Sequence, residues 1–319
     1  MRIRMTFGAT AVIASLVCVA CGGSGGSGST IAPTQPPVSP PGPTGSTGIV
    51  PSGPQIFVGA GDIAQCTPDL NPALATGRLL DLIGGQIFTV GDNAYYQGSD
   101  TDFRNCYEPA WGRFISRTNP TPGNHEYETF TDGAPYYRYF GAQARTPGLG
   151  YYSYPVGDWR IISLNSNFAQ GVGVTANSPQ GVWLQNELNT YKNVKCTLVM
   201  FHHPLFTSGP DGPSPAMRAF WQILYTAGVD VILNGHEHFY ERFAPQTPDG
   251  VPDPAKGIRQ FIVGTGGAAL YDFVRTSPNS EVRYKGWGVL QFTLLSDSYQ
   301  WDFIPVSGAH PDSGSASCH

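Results

Sequence analysis

The chain has 319 residues, of which 13% are charged and 12% aromatic, and its 18 basic against 23 acidic side chains leave a formal charge of −5. With no run of Lys or Arg anywhere, it lacks the clustered basic footprint of a nucleic-acid-binding protein, so no nucleic-acid recognition is expected. Its length after an unusual first fifty residues suits one large domain.

The N-terminus reads as a leader. Arg2 and Arg4 precede Ala9 to Ala20, which is almost wholly apolar or small. That stretch is too short for a spanning helix and fits a signal peptide. "LVCVACGG" then resembles the lipobox of bacterial lipoproteins with Cys21 as the lipidated residue, although Cys18 stands where Leu is usual. Ordinary cleavage, with free secretion or a periplasmic protein, is the alternative. Residues 22–54 are rich in Gly, Ser, Thr and Pro and hold too few apolar groups to offset ordering entropy. They read as a disordered tether, so the expected domains are 1–21, 22–54 and a catalytic domain over 55–319. Export to the cell envelope is expected, with the membrane touched only through a lipid at Cys21.

In chain order, Gln55 to Asp62 is a short apolar run ending in Gly-Asp, and Leu70 to Gly84 has the spacing of an amphipathic helix. Gln86 to Tyr96 is a second buried-strand pattern ending in Gly-Asp, and Asp102 to Ile115 has helical spacing. Leu149 to Asn167 reads as two strands around a Gly-Asp turn. Ser178 to Tyr191 and Ser214 to Ala227 read as helices, each followed by a strand, "CTLVMFHHP" and Val229 to Leu233. Arg259 to Pro305 is mainly strands. Strands alternating with helices imply parallel sheet covered by helices, and the late strands add an antiparallel part. The fold expected is α/β (α+β), a four-layer α/β-β/α sandwich of two mixed sheets flanked by helices. Cysteines 66, 106, 196 and 318 allow three pairings, of which Cys66–Cys106 with Cys196–Cys318 is the one expected. A role as small buried apolar residues stays open.

Ligands of open α/β sheets sit at the carboxyl ends of strands. Those ends carry Asp62, Asp92, His202 and the pair His236 and His238, while Asn124, His125 and Glu126 follow a Pro-Gly turn. Five of the seven histidines lie in this set or beside it. Carboxylates, imidazoles and an amide oxygen suit hard and borderline cations, and a carboxylate with two oxygens can bridge two ions about 3.5–4 Å apart. "VGTGGAAL" (Val263 to Leu270) lacks the Lys-Ser/Thr of a P-loop and reads as a strand-to-turn segment whose glycines permit close backbone approach.

The order Gly61-Asp62, Gly91-Asp92-x-x-Tyr95, Gly123-Asn124-His125-Glu126, Val199-x-x-His202 and Gly235-His236-x-His238, with Tyr240 to Arg242 as "YER", resembles the purple acid phosphatase branch of the calcineurin-like metallophosphoesterases. The resemblance spans Gln55 to Phe303. Ala64 stands where other branches place a ligand His, and the resemblance implies that Tyr95 takes that role, with an aromatic packing residue beside Tyr96 and Tyr107 as the alternative.

The resemblance implies Fe(3+) held by Asp62, Asp92, Tyr95 and His238, and a divalent Zn, Mn or Fe held by Asp92, Asn124, His202 and His236, with Asp92 bridging. It implies that His125 faces the substrate, that Glu126 orients His125 by a hydrogen bond, and that a hydroxide generated at the metals attacks phosphorus. Larger members use a further substrate-facing His where this chain has Gly212, and His203 either fills that role or packs at the strand end. Glu237 is expected to point away from the metals as a salt-bridged or solvated acid.

The activity implied is that of an exported phosphomonoesterase acting on a phosphorylated small molecule. A phosphodiesterase or nucleotidase on the same site is one alternative, and a non-catalytic envelope binding module another.

Overall fold

The computed structural model describes residues 53–319. The expected leader, Cys21 and nearly all of the expected tether lie outside the described residues. The strands in chain order are β1 Gln55–Ala60, β2 Ala64–Gln65, β3 Gln86–Thr89, β4 Ala94–Tyr95, β5 Thr118–Asn119, β6 Tyr152–Val156, β7 Trp159–Ser163 and β8 Cys196–Met200. They continue with β9 Val231–Asn234, β10 Tyr240–Phe243, β11 Arg259–Val263, β12 Ser280–Tyr284, β13 Gly288–Leu294, β14 Ser298–Pro305 and β15 Ser313–Ser317.

Two mixed sheets carry the fold. The first has the order β15–β14–β13–β1–β3–β5, parallel from β1 to β5 and antiparallel from β1 through β13 to β15. The second has the order β12–β10–β11–β9–β8–β7–β6, with β7, β8, β9 and β11 parallel. A small parallel ladder joins β2 to β4, pairing Gln65 with Tyr95.

Side chains of a strand point alternately to its two faces. Along β8, Leu198 and Met200 enter the core between the sheets, while Val199 and the following Phe201 enter the core on the other face. In β9, Val231 and Leu233 face inward and Ile232 outward. This explains why such strands read as unbroken apolar runs. The sheets meet through Phe261 against Phe292 and Trp159 against Tyr299, with ring centroids 5.4 and 5.6 Å apart. Helices Pro179–Thr190 and Arg218–Thr226 cover the second sheet with Leu184, Phe220, Trp221 and Leu224. Helix Asn71–Leu82 packs Ala73 and Leu80 into the core that holds Phe57 and Ile87 of the first sheet. The layering is the α/β-β/α sandwich expected.

Three segments differ from expectation. Asp102 to Ile115 is not one helix but short turns, with a wide π-type turn at Phe103–Tyr107, a stub at Glu108–Ala110 and a 3₁₀ run at Gly112–Arg117. Pro109 donates no N–H, so the regular ladder cannot pass through it. Helix Ala134–Phe140 lies where no element was expected, started by left-handed Gly133 and by Pro135 in its first turn. Strand β15 is a Ser/Gly segment of low strand propensity, ordered by pairing with β14. The disulfides are Cys66–Cys106 and Cys196–Cys318. Among the described residues, no helix is long and apolar enough to cross a membrane.

Candidate metal centre

Four parallel strands, β1, β3, β8 and β9, deliver the site from their carboxyl ends. After β1, β3 and β9 the chain turns sharply just past the strand. Asp62, Asp92 and His236 have φ of 57°, 49° and 72°, and each follows a glycine. Left-handed backbone at a non-glycine residue stores strain of order 1–3 kcal/mol and clusters where function holds it. Two glycines are required by close approach. A Cβ at Gly91 would stand 2.4 Å from Nδ1 of His202, and one at Gly123 would stand 2.1 Å from Oδ1 of Asp92.

Seven side chains converge in two groups that share Asp92. In the first group, the Tyr95 hydroxyl lies 2.9 Å from Asp62 Oδ1, 3.2 Å from Asp92 Oδ2 and 3.0 Å from His238 Nε2. His238 Nε2 is 3.3 Å from Asp62 Oδ1. In the second, Asn124 Oδ1 lies 3.1 Å from both His202 Nε2 and His236 Nδ1, and His202 Nε2 is 3.1 Å from Asp92 Oδ2. Atoms of Asp92, His202 and His236 all fall within 4.8 Å of one another.

Backbone carbonyls orient the rings. His202 Nδ1 lies 2.8 Å from the Val90 carbonyl, and His238 Nδ1 lies 2.7 Å from that of Ala269. Each Nδ1–H therefore points outward, so a ring that gives up its Nε2 proton turns a lone pair inward. The Gly-rich segment after β11 supplies the Ala269 carbonyl, and it docks on the first strand end through Gly266 N to Gly61 O and Ala268 N to Asp62 O. It is the strand-to-turn wall expected.

The residues present fit two cations. Asp62, Asp92, Asn124 and the inward ring nitrogens are acceptors, and few protons are available to share among them. Burial works against a charged His202, yet Asp92 raises it to about 9, so the pocket draws positive charge to this spot. Burial also works to raise Asp92, but His202 and His125 hold its carboxyl well below the usual range. His236 is pushed down to about 4 by burial and by His202. Burial, Asp62 and Asp92 hold the Tyr95 phenol well above its ordinary value, a balance that a bound cation inverts.

Asp92 joins the two groups through one oxygen: Oδ2 faces both, while Oδ1 accepts the His125 backbone N–H at 2.9 Å. Two expectations are corrected. Glu126 does not bond the His125 ring. Its buried carboxylate accepts backbone N–H groups of Asp92, Asn93 and Gly123 at 3.0, 2.8 and 2.7 Å, clamping two site loops together. Burial and the Asp92 charge push it up to about 7. The His125 ring is held instead by the Tyr96 carbonyl and by Glu128 Oε2 at 3.3 Å from Nδ1, leaving Nε2 3.8 Å from Asp92 Oδ2. Glu237 is neither solvated nor ion-paired. It is fully buried, accepts from Thr207 and Gly212, and is pushed up to about 7 by burial.

His202 turns into the centre, whereas His203 turns its Nδ1 to the Ser166 hydroxyl at 2.9 Å with its ring 4.5 Å from that of His236. Burial and the neighbouring rings of His202 and His236 lower His203 well below its ordinary value, which keeps it neutral. The open side is formed by the part-exposed Asn124, His125 and His236. Sequence reasoning missed Tyr271, whose ring stacks on His238 at 4.0 Å and 13°. The Gly-rich run just before it was its nearest signal.

A family model described as calcineurin-like phosphoesterase matches residues 48–240. Purple acid phosphatase 21 of Arabidopsis thaliana is 30% identical over 258 residues, covering 73% of this chain and 55% of that protein. Fe(3+)-Zn(2+) purple acid phosphatase 12 of the same plant is 28% identical, covering 60% of this chain and 44% of that one. The solved structure of purple acid phosphatase PPD1 from yellow lupin (Lupinus luteus) seeds superposes with a TM-score of 0.66 at 19% identity, covering 83% of this chain and 54% of that chain. That likeness shows the fold. The chain spans about half the length of the curated relatives it matches.

Proposed function

The chain belongs to the calcineurin-like phosphoesterase family, with similar relatives in its purple acid phosphatase branch, and from that membership we propose that it is an exported dinuclear-metal phosphomonoesterase acting on a small phosphorylated molecule. The observation that carries the reading is the convergence of two donor groups on the single oxygen Oδ2 of Asp92. Asp62, Tyr95 and His238 would hold one ion with it, and Asn124, His202 and His236 the other. The phenol of Tyr95 favours Fe(3+) in the first group. The donors of the second suit Zn, Mn or Fe as a divalent ion, and one relative carries Fe(3+)-Zn(2+) in its name.

Bound there, the ions supply Lewis acidity for phosphoryl transfer to water. The chain's own residues do the rest. His125 sits on the open side with its ring fixed through Nδ1–H, so Nε2 is free to face the substrate and carries a proton when the ring is charged. Burial works against its charged form, but Asp92, the Tyr96 carbonyl and Glu128 raise its pKa. A protonated His125 gives its proton to the leaving alkoxide or a hydrogen bond to a phosphoryl oxygen. Glu126 holds the Asp92 and Gly123 loops in register, and neutral His203 braces the His236 ring. Export is supported by the leader-like N-terminus and by two disulfides, which persist in oxidising compartments. Attachment through a lipid at Cys21, or free secretion into the periplasm or medium, follows from which leader cleavage occurs.

Hydrolysis of an aryl phosphate and of a bis-aryl phosphate by the purified full chain tests the activity. Turnover of the monoester that stops on metal removal and returns on adding back iron with zinc supports it. Faster turnover of the diester moves the reading to a phosphodiesterase, and a metal-loaded chain that hydrolyses neither ends it.

A further inference from the structure

Glu237 stands between two histidines of the centre and belongs to neither donor group. Its Oε1 accepts from the Thr207 hydroxyl at 3.1 Å and from Gly212 N–H at 3.0 Å. Among the described residues its Oε2 has no partner. A Cβ at Gly209 would stand 1.8 Å from that oxygen, so segment 207–212 lies directly on the carboxylate. Burying a carboxylate without a cation is unfavourable. Here the hydrogen bonds it collects all come from this one segment. Four residues on, buried Glu241 accepts from the N–H of Ser208 at 2.9 Å and from its hydroxyl, giving the segment a second anchor. The Ser208 carbonyl in turn accepts N–H groups of Val274 and Arg275, linking the segment to the stretch that carries Tyr271.

We infer that Glu237 is a positioning residue that fixes segment 207–212 along the His236 side of the centre, and through it sets the fit of the phosphate ester. The inference rests on the phosphatase reading. The segment follows directly from the His202 strand end and reaches Gly212, the position where the resemblance places a substrate-facing His in larger members. Gly212 has no side chain to offer, so the backbone of the segment and the exposed Asp211 form that rim instead. The Ser208 carbonyl ties the segment to Val274 and Arg275, just past Tyr271, whose ring stacks on His238, and this keeps the segment beside the centre. The anchor therefore acts on how substrate sits, and a residue of this kind shows itself in KM more than in kcat.

The test uses Glu237→Ala, Glu237→Gln and Thr207→Val in the full chain. Metal content, amide hydrogen exchange over 207–212, and KM and kcat for an aryl phosphate are measured. In Glu237→Ala, both ions stay, exchange over 207–212 speeds at least about tenfold, and KM rises at least about fivefold with kcat within about threefold. Glu237→Gln keeps an acceptor oxygen and recovers most of both effects. Thr207→Val removes one of the bonds without touching the His236–His238 turn, and gives a smaller change in the same direction even if Glu237→Ala does not fold. Unchanged exchange and KM in the folded variants overturns the inference. So does a Glu237→Ala protein that loses metal and kcat together, because Glu237 would then act through the histidines. A wild-type chain that hydrolyses no ester sinks the phosphatase reading, and the exchange arm then decides the anchor by itself.

Discussion

At Asp92 the two carboxylate oxygens have different work. Oδ1 takes the His125 N–H, so substrate-facing loop and metal-facing strand end are joined at one residue, and Oδ2 is left for both donor groups. His125 faces the centre without joining either group. His125→Ala should therefore keep both metals and slow turnover about 10²- to 10⁴-fold, the range that acid–base assistance contributes; metal analysis beside steady-state kinetics checks this. Glu126→Ala strips the acceptor from four buried backbone N–H groups, each costing about 1–3 kcal/mol when left unsatisfied. Its melting temperature and metal content should fall together, and an unperturbed melting curve would refute the clamp. The donors were legible in the sequence because all but His202 lie within a few residues of a glycine, and His202 directly closes the apolar run of β8. The work of Glu126 and Glu237 was not. Glu126 bonds Asn93, 33 positions earlier, and Glu237 bonds Gly212, 25 positions earlier. Such partners are backbone amides, which leave no mark in residue identity.

Turns between elements set the site's dimensions. Three of the site segments leave their strands in left-handed backbone, and the spacing of the centre depends on the glycines beside them. Gly123→Ala would drive a methyl to 2.1 Å from Asp92 Oδ1, where the loop must shift. Overpacking of this kind costs about 1–3 kcal/mol, and metal affinity should drop with it; a titration of the metal-free protein with zinc reads that loss. Apolar runs closed by Gly-Asp or Asn-Gly marked these strand ends in advance. Periodicity failed for 102–115, where Pro109 interrupts a helical pattern that burial of Phe103 and Tyr107 still imposes. It failed again at Ala134–Phe140, where four aromatic residues in seven masked a short helix.

Across the whole molecule, two mixed sheets face each other and helices cover the outer faces, which brings strands 55–60 and 231–234 to one shared end. The alternation of β and α patterns showed this much. Strand β15 stayed hidden because Ser and Gly carry no strand signal, and long-range contacts alone hold it. Cys318 ties the end of that strand to Cys196 at the start of β8, across 122 positions. Replacing both cysteines by Ala should lower unfolding free energy by about 2–5 kcal/mol in denaturant titration while leaving the metals in place, since the bond lies at the far end of β8 from His202.

The most direct test of the account is elemental analysis of the purified full-length chain. Two ions per chain, one of them iron, are predicted, falling below two in Asp92→Asn because that oxygen serves both groups. A folded, active chain that holds one ion or none would contradict it.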